Sequence, residues 1–379
     1  MTQADIVKVK ELFILREIEE ALQSKLYLPD FHIKNRVIKE LLIYLENKIS
    51  DPHYNIKPFV SYTDGEISGM VICQIDPHYT SYSRKCGTFG WLHADSLEIC
   101  KELMRKCELY VKEHKLRRIR GPINFPKSVG GMGIQFMGFN EQMLYGVAFS
   151  NPRSRLLSYL EAIGYKKESE YTCVYVAQKT WNKGKSIDKD IIFRYFPLNT
   201  LYDFIDDIEH LAQNTLYQIM PDSSGINRIY EFFDAFSKIP KSFYKIKPDF
   251  NPEKYSSTSQ FIEAWESCDL EKIEPFAPMA FNRKTKELVG ILLGLPDLYE
   301  KWVGHPITRA NVDTAMIKKG YYGKGIFSAL NNIGQLTGNL YGINYFEGTA
   351  IWSNNSRAIE TIFPHCKAVR KHYVMQKRI

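Results

Sequence analysis

Several features that would place this chain in a special class of protein are missing from its 379 residues. No apolar run approaches the roughly 18 residues that a membrane-spanning helix needs. The first residues, Met1 to Asp5, have neither the basic nor the apolar region of a secretory signal. We therefore expect a cytoplasmic protein.

Cysteine spacing gives no sign of a metal centre. The seven cysteines are an odd number and include no Cys-x-x-Cys pair, and none lies at zinc-ligand spacing from a histidine. His305, His365 and His372 show no partner spacing for a metal or a catalytic triad. Cys100 and Cys107 lie on one face of a predicted helix, which is typical of buried thiols. The sequence predicts no metal and a reducing compartment.

Composition sets broad limits on what the chain is. Hydrophobic residues make up 44% and charged residues 25%, as in a globular protein. The length favours two domains over one core. The formal net charge of +7 suggests a mild preference for anionic partners without identifying one.

The N-terminal half mixes helical and strand patterns. Apolar spacing predicts two helices between about residues 6 and 49, with a break at residues 28–30. The Asp64-Gly65 pair between two β-rich runs predicts a hairpin. The pair Asp95-Ser96 is suited to cap an amphipathic helix over residues 97–114, since both side chains can accept the first free N–H groups.

The same order of elements recurs in the C-terminal half, with an offset of about 220 residues. A second hairpin lies at Lys284 to Glu287, and a strand-helix-strand unit, a short helix and a closing strand follow in both halves. The repetition predicts two copies of one α/β fold, over residues 1–180 and 188–379. Residues 221–275 are rich in aromatics and are either an acceptor-side lid or a packed helical insertion.

A glycine-rich turn in the second copy carries the clearest functional signal. The apolar run Asn311 to Ile317 predicts a strand, Lys318 to Gly325 holds three glycines, and helical spacing begins at Ile326. Unpaired N–H groups and the dipole at a helix start favour a phosphate or pyrophosphate. Such glycines also serve simply to form a turn.

This turn resembles the cofactor-binding motif of the GNAT acyltransferase superfamily, Arg/Gln-x-x-Gly-x-Gly/Ala. Gly325 matches the central glycine, whereas Tyr322 and Phe327 differ from the two outer positions. The stretches Gly87 to Trp91 and Arg120 to Phe125 are similar to a little-characterised bacterial and archaeal family of tandem GNAT-like proteins. The resemblance implies two tandem GNAT-like α/β (α+β) domains, each with a mixed central sheet flanked by helices.

The resemblance also implies an acyl-CoA site in the C-terminal copy only. The residues that it assigns to the CoA thioester are Met316, Ile317, Tyr322, Gly323, Lys324, Gly325, Ile326, Phe327 and Asn355. Lys324 would add positive charge near the phosphates, and Asn355 suits a helix cap equally well. In the N-terminal copy Asp95 stands where pyrophosphate would lie, so we expect that copy to be structural and to help form the wall of the acceptor pocket.

Acyl transfer to an amine needs a base and a proton donor for the thiolate. Glu347, on the strand beside the turn, is the candidate base; a charged residue at a strand end is the alternative. The superfamily's usual tyrosine position holds Ile362, so Tyr373 is the substitute candidate, and a packed tyrosine is its alternative. Asp297 suits a turn better than amine binding.

The function that we expect is transfer of an acyl group, most simply acetyl, from a CoA thioester to a small or peptide amine. The protein would be a monomer or homodimer with no membrane partner. Two other classes stay open: a tRNA-dependent aminoacyl transferase and a non-catalytic CoA-binding or scaffold protein. The basic runs Lys115 to Arg120 and Arg370 to His372 are expected to be solvated faces, which makes nucleic-acid binding the less favoured reading.

Overall fold

The structure is a computed structural model and describes residues 7–176, 188–219, 221–223, 226–238, 276–331, 334, 342–355, 359 and 366–379. Most of the 221–275 stretch and the positions of Ile362 and His365 lie outside these residues. No helix in the described ranges is long and apolar enough to cross a membrane.

The N-terminal half begins with a short strand and two helices, followed by the predicted hairpin. Its elements, in chain order, are β1 Lys8–Glu11, α1 Leu15–Lys25, α2 Phe31–Ile49, β2 Asn55–Thr63, β3 Glu66–Ile75, β4 Thr80–Ser81, β5 Arg84–Lys85, β6 Gly87–Ala94, α3 Leu97–Glu113, β7 Arg118–Gly121, α4 Lys127–Gly130, β8 Ile134–Met137, α5 Leu156–Ala162 and β9 Lys166–Tyr175.

The C-terminal half repeats the pattern of strand, two helices and hairpin. Its elements are β10 Ile191–Pro197, a 3₁₀ segment Leu198–Phe204, α6 Ile205–Ile219, β11 Asp222–Ser223, α7 Ile226–Ser237, β12 Phe276–Asn282, β13 Leu288–Pro296, α8 Leu298–Trp302, β14 Arg309–Ile317, β15 Tyr345–Trp352 and β16 Lys367–Arg378. A further helix begins at Ile326 and runs out of the described residues.

Local signals fixed most of these boundaries correctly. Asp64 and Gly65 have φ of 53° and 86°, as a two-residue hairpin turn requires, and the Ser96 side chain accepts the Ile99 N–H at 3.3 Å. The prediction was wrong at the start of the chain, where the first helix begins at Leu15. Lys8–Glu11 forms a strand instead, because it pairs with the edge of β2.

One mixed sheet of thirteen described strands runs through both halves. Its order is β1-β2-β3-β6-β7-β16-β9-β15-β14-β13-β12-β10, with β8 also paired to β16. The last strand of the second half, β16, therefore lies between β7 and β9 of the first half. In turn β9 pairs with β15 of the second half. Each half completes its sheet with a strand of the other.

The apolar core is shared in the same way. The largest cluster of buried side chains joins Leu22 of α1, Leu41 of α2, Leu211 of α6, Phe232 of α7 and Ile291 of β13. These helices pack together over one face of the sheet. The α1–α2 pair and the α6–α7 pair therefore bury their apolar faces in one common core. The halves that sequence predicts as two domains are joined by backbone pairing and by a common core.

A buried ion pair also connects the two halves. Arg120 of β7 donates from Nε and Nη2 to the two carboxylate oxygens of Asp222 in β11, both at 2.8 Å. Neither side chain is exposed. The hydroxyls of Tyr79 and Tyr171 also donate to Asp222, so every charge in the cluster is hydrogen-bonded, as burial demands.

This cluster predicts a large loss of stability in Asp222→Asn. The substitution leaves Arg120 buried with its charge uncompensated, and we expect the free energy of unfolding in urea to fall by about 3–5 kcal/mol. The Arg120 guanidinium and the two hydroxyls hold the pKa of Asp222 below its ordinary value. The stabilisation is therefore present above the unfolded carboxyl pKa and is lost as the pH falls below it.

Asp234→Asn is the matched control. Asp234 pairs with Lys238 at 2.6 Å, but its side chain is 59% exposed. This variant should lose less than about 1 kcal/mol. Equal, small losses in both variants would contradict the role assigned to the buried pair.

Candidate functional site

The glycine-rich turn after β14 has the backbone that its sequence predicts. Gly320, Gly323 and Gly325 have φ of 95°, 80° and 78°, a region that other residues enter at a cost. A Cβ built on Gly320 or Gly323 would meet no atom within 4 Å. Tyr322 between them is 45% exposed. The turn is thus left-handed at its glycines and has open space on its outer side.

The helix that follows presents its first N–H groups at this turn. The Ala329 N–H bonds the Gly325 carbonyl at 3.1 Å, so the N–H groups of the preceding helical residues lie before the first intrahelical bond. Ile326 is buried against Ala280 and Val289. That contact fixes the helix start against the sheet, and the dipole there favours an anion.

Lys324 is the cation of the turn, and it already has an anionic partner. Its Nζ lies 2.7 Å from Asp188 Oδ2, with both side chains about one-third exposed. The ammonium also lies 5.2 Å from the centre of the Tyr321 ring. The hydrogen bond to Lys324 lowers the pKa of Asp188. A phosphate at the turn would compete with this carboxylate for Lys324.

Beside the turn, the parallel pairing of β14 and β15 stops early. The ladder runs from Arg309↔Tyr345 to Val312↔Gly348, whereas β14 continues to Ile317 and β15 to Trp352. The pairing with β13 shifts register at Asp313, a β-bulge that bends the strand. The two strands therefore part on the side from which the turn and helix emerge.

A layer of buried polar side chains lies just before the strands part. Asn311 accepts a 2.5 Å bond from Thr349 Oγ1 and donates to the Tyr145 carbonyl at 3.1 Å. Arg309 donates to the carbonyls of Gln142 and Met143 at 3.3 and 2.6 Å. The N-terminal half thus supplies a segment, residues 142–148, that covers this part of the C-terminal sheet. A wall of the acceptor pocket would make contacts of this kind, and that role of the N-terminal half stays a prediction.

Glu347, the candidate base, is fully buried in this layer. Its Oε1 accepts Arg370 Nε at 2.7 Å and its Oε2 accepts Arg370 Nη2 at 2.9 Å. The Tyr345 hydroxyl donates to the same Oε2 at 2.8 Å. Both carboxylate oxygens therefore already accept hydrogen bonds from neighbouring side chains, two of the three from a guanidinium. The geometry favours a positioning role for Glu347; its catalytic role stays a prediction.

Tyr373, the candidate acid, does not lie beside the turn. It is on β16, and β9 and β15 separate that strand from β14. Three strand spacings amount to roughly 14 Å. The ring stacks on Phe136 with centroids 4.0 Å apart. A packed tyrosine was the alternative interpretation to a proton donor. Its position does not favour proton donation at the turn.

The remaining predicted cofactor residues divide into buried and accessible ones. Met316 is fully buried in the shared core, and Ile317 and Phe327 are partly buried against neighbouring apolar clusters. Asn355 is half-buried, and its N–H bonds the Trp352 carbonyl at 2.8 Å. Met316 and Phe327 therefore serve packing, and the turn itself offers the accessible backbone.

One sequence expectation, that both basic runs are solvated faces, is corrected by burial. The runs Lys115 to Arg120 and Arg370 to His372 are not wholly solvated, because Arg120, Arg370 and His372 are at most 2% exposed. Alternation along a strand, with Lys371 turned toward Glu170 at 2.8 Å, is the signal that identifies Arg370 and His372 as inward-facing.

Asp297 is also buried: it caps α8 through the Tyr299 N–H and contacts Arg309 at 3.1 Å.

Among the described residues, no group of three or more histidine, cysteine or acidic side chains is placed to hold a metal ion. Burial raises the pKa of the Cys100 thiol to about 12 and lowers the pKa of His372 to about 4. Neither side chain is therefore charged near neutral pH.

Strand order, parted strands and glycine turn together define a GNAT-like α/β fold in two tandem copies. Over 98% of its length the chain is similar to a tandem GNAT protein from the clavulanic acid biosynthesis pathway, with a TM-score of 0.54 and 8% identity, and it covers 98% of that chain. The GCN5-related N-acetyltransferase from Sphaerobacter thermophilus matches with a TM-score of 0.50 and 11% identity, over 98% of this chain and 95% of that one.

A GCN5-related N-acetyltransferase from Anabaena variabilis is also similar, with a TM-score of 0.53 and 7% identity, over 98% of this chain and 73% of that one. No protein-family model and no curated protein matches the sequence. The structural similarity confirms the predicted tandem GNAT-like fold; the boundaries 1–180 and 188–379 and the site residues stay predictions.

The buried pair of Glu347 and Arg370 predicts that Glu347→Gln is destabilised. The amide leaves the Arg370 charge without a counterion, and we expect a loss of about 3–5 kcal/mol in the free energy of unfolding. Glu170→Gln removes a partly exposed partner of Lys371 on the neighbouring strand and should lose less than about 1 kcal/mol. A Glu347→Gln protein as stable as wild type would show that the carboxylate is not needed as a structural anchor.

Proposed function

We propose that this protein is an acyl-CoA-dependent N-acyltransferase whose cofactor site lies at the C-terminal glycine turn. The observation that carries the proposal is the juxtaposition of that open turn with the parting of β14 and β15. The turn offers backbone N–H groups to the pyrophosphate. The space between the strands leads from the turn toward the sheet, a path that suits the extended arm of a CoA thioester.

The proposed reaction is acyl transfer from a thioester to an amine. An amine nitrogen attacks the thioester carbonyl, a C–N bond forms, the C–S bond breaks, and the amine proton leaves as the thiolate gains one. Beyond Val312 the edge of β14 is no longer paired with β15. A backbone N–H on that edge is the group that we assign to the carbonyl oxygen, where it would stabilise the developing negative charge. Acetyl is the simplest acyl group.

For proton transfer we retain Glu347 and Tyr373 as proposals of unequal strength. Glu347 lies on the strand beside the cleft, and Tyr345, whose hydroxyl donates to it, is its half-buried neighbour. A base role would require the Arg370 pair to yield one oxygen. Tyr373 is the weaker assignment because two strands intervene. The acceptor is an amine, and residues 142–148 of the N-terminal half line the approach through their contacts with Asn311 and Arg309.

The other two classes have less support. A tRNA-dependent transferase needs exposed cationic side chains. Lys115 and Arg117 are exposed, but Arg120 at the end of the first basic run and Arg370 at the start of the second are buried, which leaves a small cationic surface. A non-catalytic CoA-binding or scaffold protein is favoured by one observation, the tight pairing of Glu347 with Arg370. Binding of CoA without turnover on any amine would distinguish that protein from an enzyme.

Gly325→Glu tests the cofactor site. We expect wild-type protein to bind acetyl-CoA and CoA in calorimetry and the variant to lose at least about tenfold in affinity. The new carboxylate would stand at the helix start and repel the pyrophosphate, and a left-handed non-glycine residue costs about 1–2 kcal/mol.

Gly304→Glu is the matched control for that experiment. Gly304 has φ of 81° and open space around its Cβ position. The control variant therefore introduces the same backbone strain and the same charge at a site away from the turn. Its affinity for CoA should equal that of wild type. If Gly325→Glu binds as well as wild type, the turn is not the cofactor site.

Asp188→Asn should have the opposite sign. Removing the carboxylate frees Lys324 for the phosphates and lowers the negative potential at the turn, so CoA affinity should rise about two- to fivefold at low salt, with a smaller gain at high salt. Asp206→Asn on α6 changes the net charge equally at another surface and should have no such effect. Weaker binding in Asp188→Asn would place the phosphates elsewhere.

A further inference from the structure

A second cleft lies in the N-terminal half, far from the glycine turn along the sheet. It is formed by the α1–α2 connection at residues 26–28, the end of β6 at residues 91–93, and the segment 147–151. The cavity itself has a volume of about 80 Å³. A single water needs about 10–15 Å³ on this measure, so the cleft has room for several waters or for one small ring.

The lining of this cleft is aromatic and uncharged. Its larger side chains include Tyr27, Trp91, Phe149 and Tyr299, and none of its lining residues is lysine, arginine, aspartate or glutamate. Tyr27 and Phe149 are nearly parallel, with an interplanar angle of 13° and centroids 6.3 Å apart. Such walls favour a flat apolar molecule, because a charged one would lose hydration against a lining that holds no counterion. The nearest cations, Lys25 and Lys34, lie outside the lining, and Lys25 is already paired with Asp95 at 2.6 Å.

Most polar groups of the cleft already have partners. Asn124 accepts the Trp91 backbone N–H at 2.7 Å and donates to the Gly130 carbonyl at 3.0 Å. Ser150 Oγ accepts the Gln135 N–H at 3.0 Å. Asn151 and Ser154 accept N–H groups of their own loop at 2.9 and 3.2 Å. These side chains stabilise the walls of the cleft, and most of their hydrogen-bonding groups are already paired.

His93 is different. Its imidazole lines the cleft, and within the described ranges it makes no hydrogen bond to another residue. Burial, with the nearby Lys34 and Lys25 cations, lowers the pKa of His93 to about 4. The ring is therefore neutral near pH 7, with one nitrogen free to accept a hydrogen bond.

The part of this half that would correspond to a CoA site is closed. The Ile123 N–H bonds the Phe89 carbonyl at 2.8 Å, and a Cβ on Gly90 would lie 2.2 Å from the Ile123 carbonyl oxygen. The backbone around Ile123 thus fills the space between β6 and β7. Ser96 already caps α3, and exposed Asp95 precedes it. The acidic Asp95 and the occupied cap disfavour a pyrophosphate at this helix start.

We propose that this cleft is a second ligand site, for an uncharged aromatic molecule that donates one hydrogen bond to His93. The chemical class is that of a phenol or an indole: a flat apolar body with a single O–H or N–H group. This assignment does not depend on the proposed acyltransferase activity, because it rests on other residues at another part of the sheet.

Phenol and anisole form the matched probe pair, since they share a ring and differ in the O–H donor; benzoate tests charge. We would titrate the full-length protein with each and follow the probe signals by NMR. Wild type should bind phenol roughly tenfold more tightly than anisole, the effect of one hydrogen bond, and benzoate more weakly still. His93→Leu should remove the preference for phenol. Ser154→Trp, at the cleft mouth, should abolish binding of both.

His53→Leu is the control, because His53 is an exposed histidine in another loop. It should bind as wild type does, and urea unfolding of each variant should show an intact fold. Equal affinity for phenol and anisole in wild type, absence of phenol binding, or binding that survives Ser154→Trp would each overturn the proposal. Competition between acetyl-CoA and phenol would overturn it too, since it would place the cofactor in this cleft.

Discussion

The insertion of β16 between β7 and β9 is the constraint on which the rest of this structure depends. Without β16, β7 loses its antiparallel partner and β9 is left paired only with β15. Backbone groups in the middle of a sheet must be paired, because each one buried unpaired costs about 1–3 kcal/mol. The thirteen-stranded sheet is therefore complete only when both halves contribute, and the two repeats are copies in pattern more than separate bodies.

Three buried arginines reinforce that union. Arg120 reaches Asp222 across the halves, Arg309 contacts Asp297 and the carbonyls of segment 142–148, and Arg370 holds Glu347 while it also donates to the Gln142 carbonyl at 2.9 Å. A planar guanidinium with five donors can hold a carboxylate through two parallel hydrogen bonds and still donate to a carbonyl, a fixed geometry that a lysine ammonium does not offer. Arg309 and Arg370 fix the layer of buried polar side chains next to the point where β14 and β15 part. The N-terminal half therefore helps to set the geometry of the candidate cofactor site.

The fold was largely predictable from the sequence because its signals are local. The Asp64-Gly65 turn, the Ser96 cap and the glycines of the turn each dictate backbone conformation within a few residues. The exchange of β9 and β16 was not predictable, since strand order depends on pairings between residues about 250 positions apart. For the same reason Arg370 and Glu347 were interpreted separately: nothing in either local sequence shows that the two side chains meet. The cleft at His93 was also missed, because its lining comes from five separated stretches.

The place of β16 in the sheet also has a consequence for how the protein is made. A ribosome delivers β7 and β9 long before residues 367–378, so the first half waits in the cell with two strand edges exposed while more than half of the chain is synthesised. Exposed edges of this kind recruit other chains and chaperones. We expect the nascent protein to need shielding during that interval, and a product that stops short of β16 to keep both edges exposed.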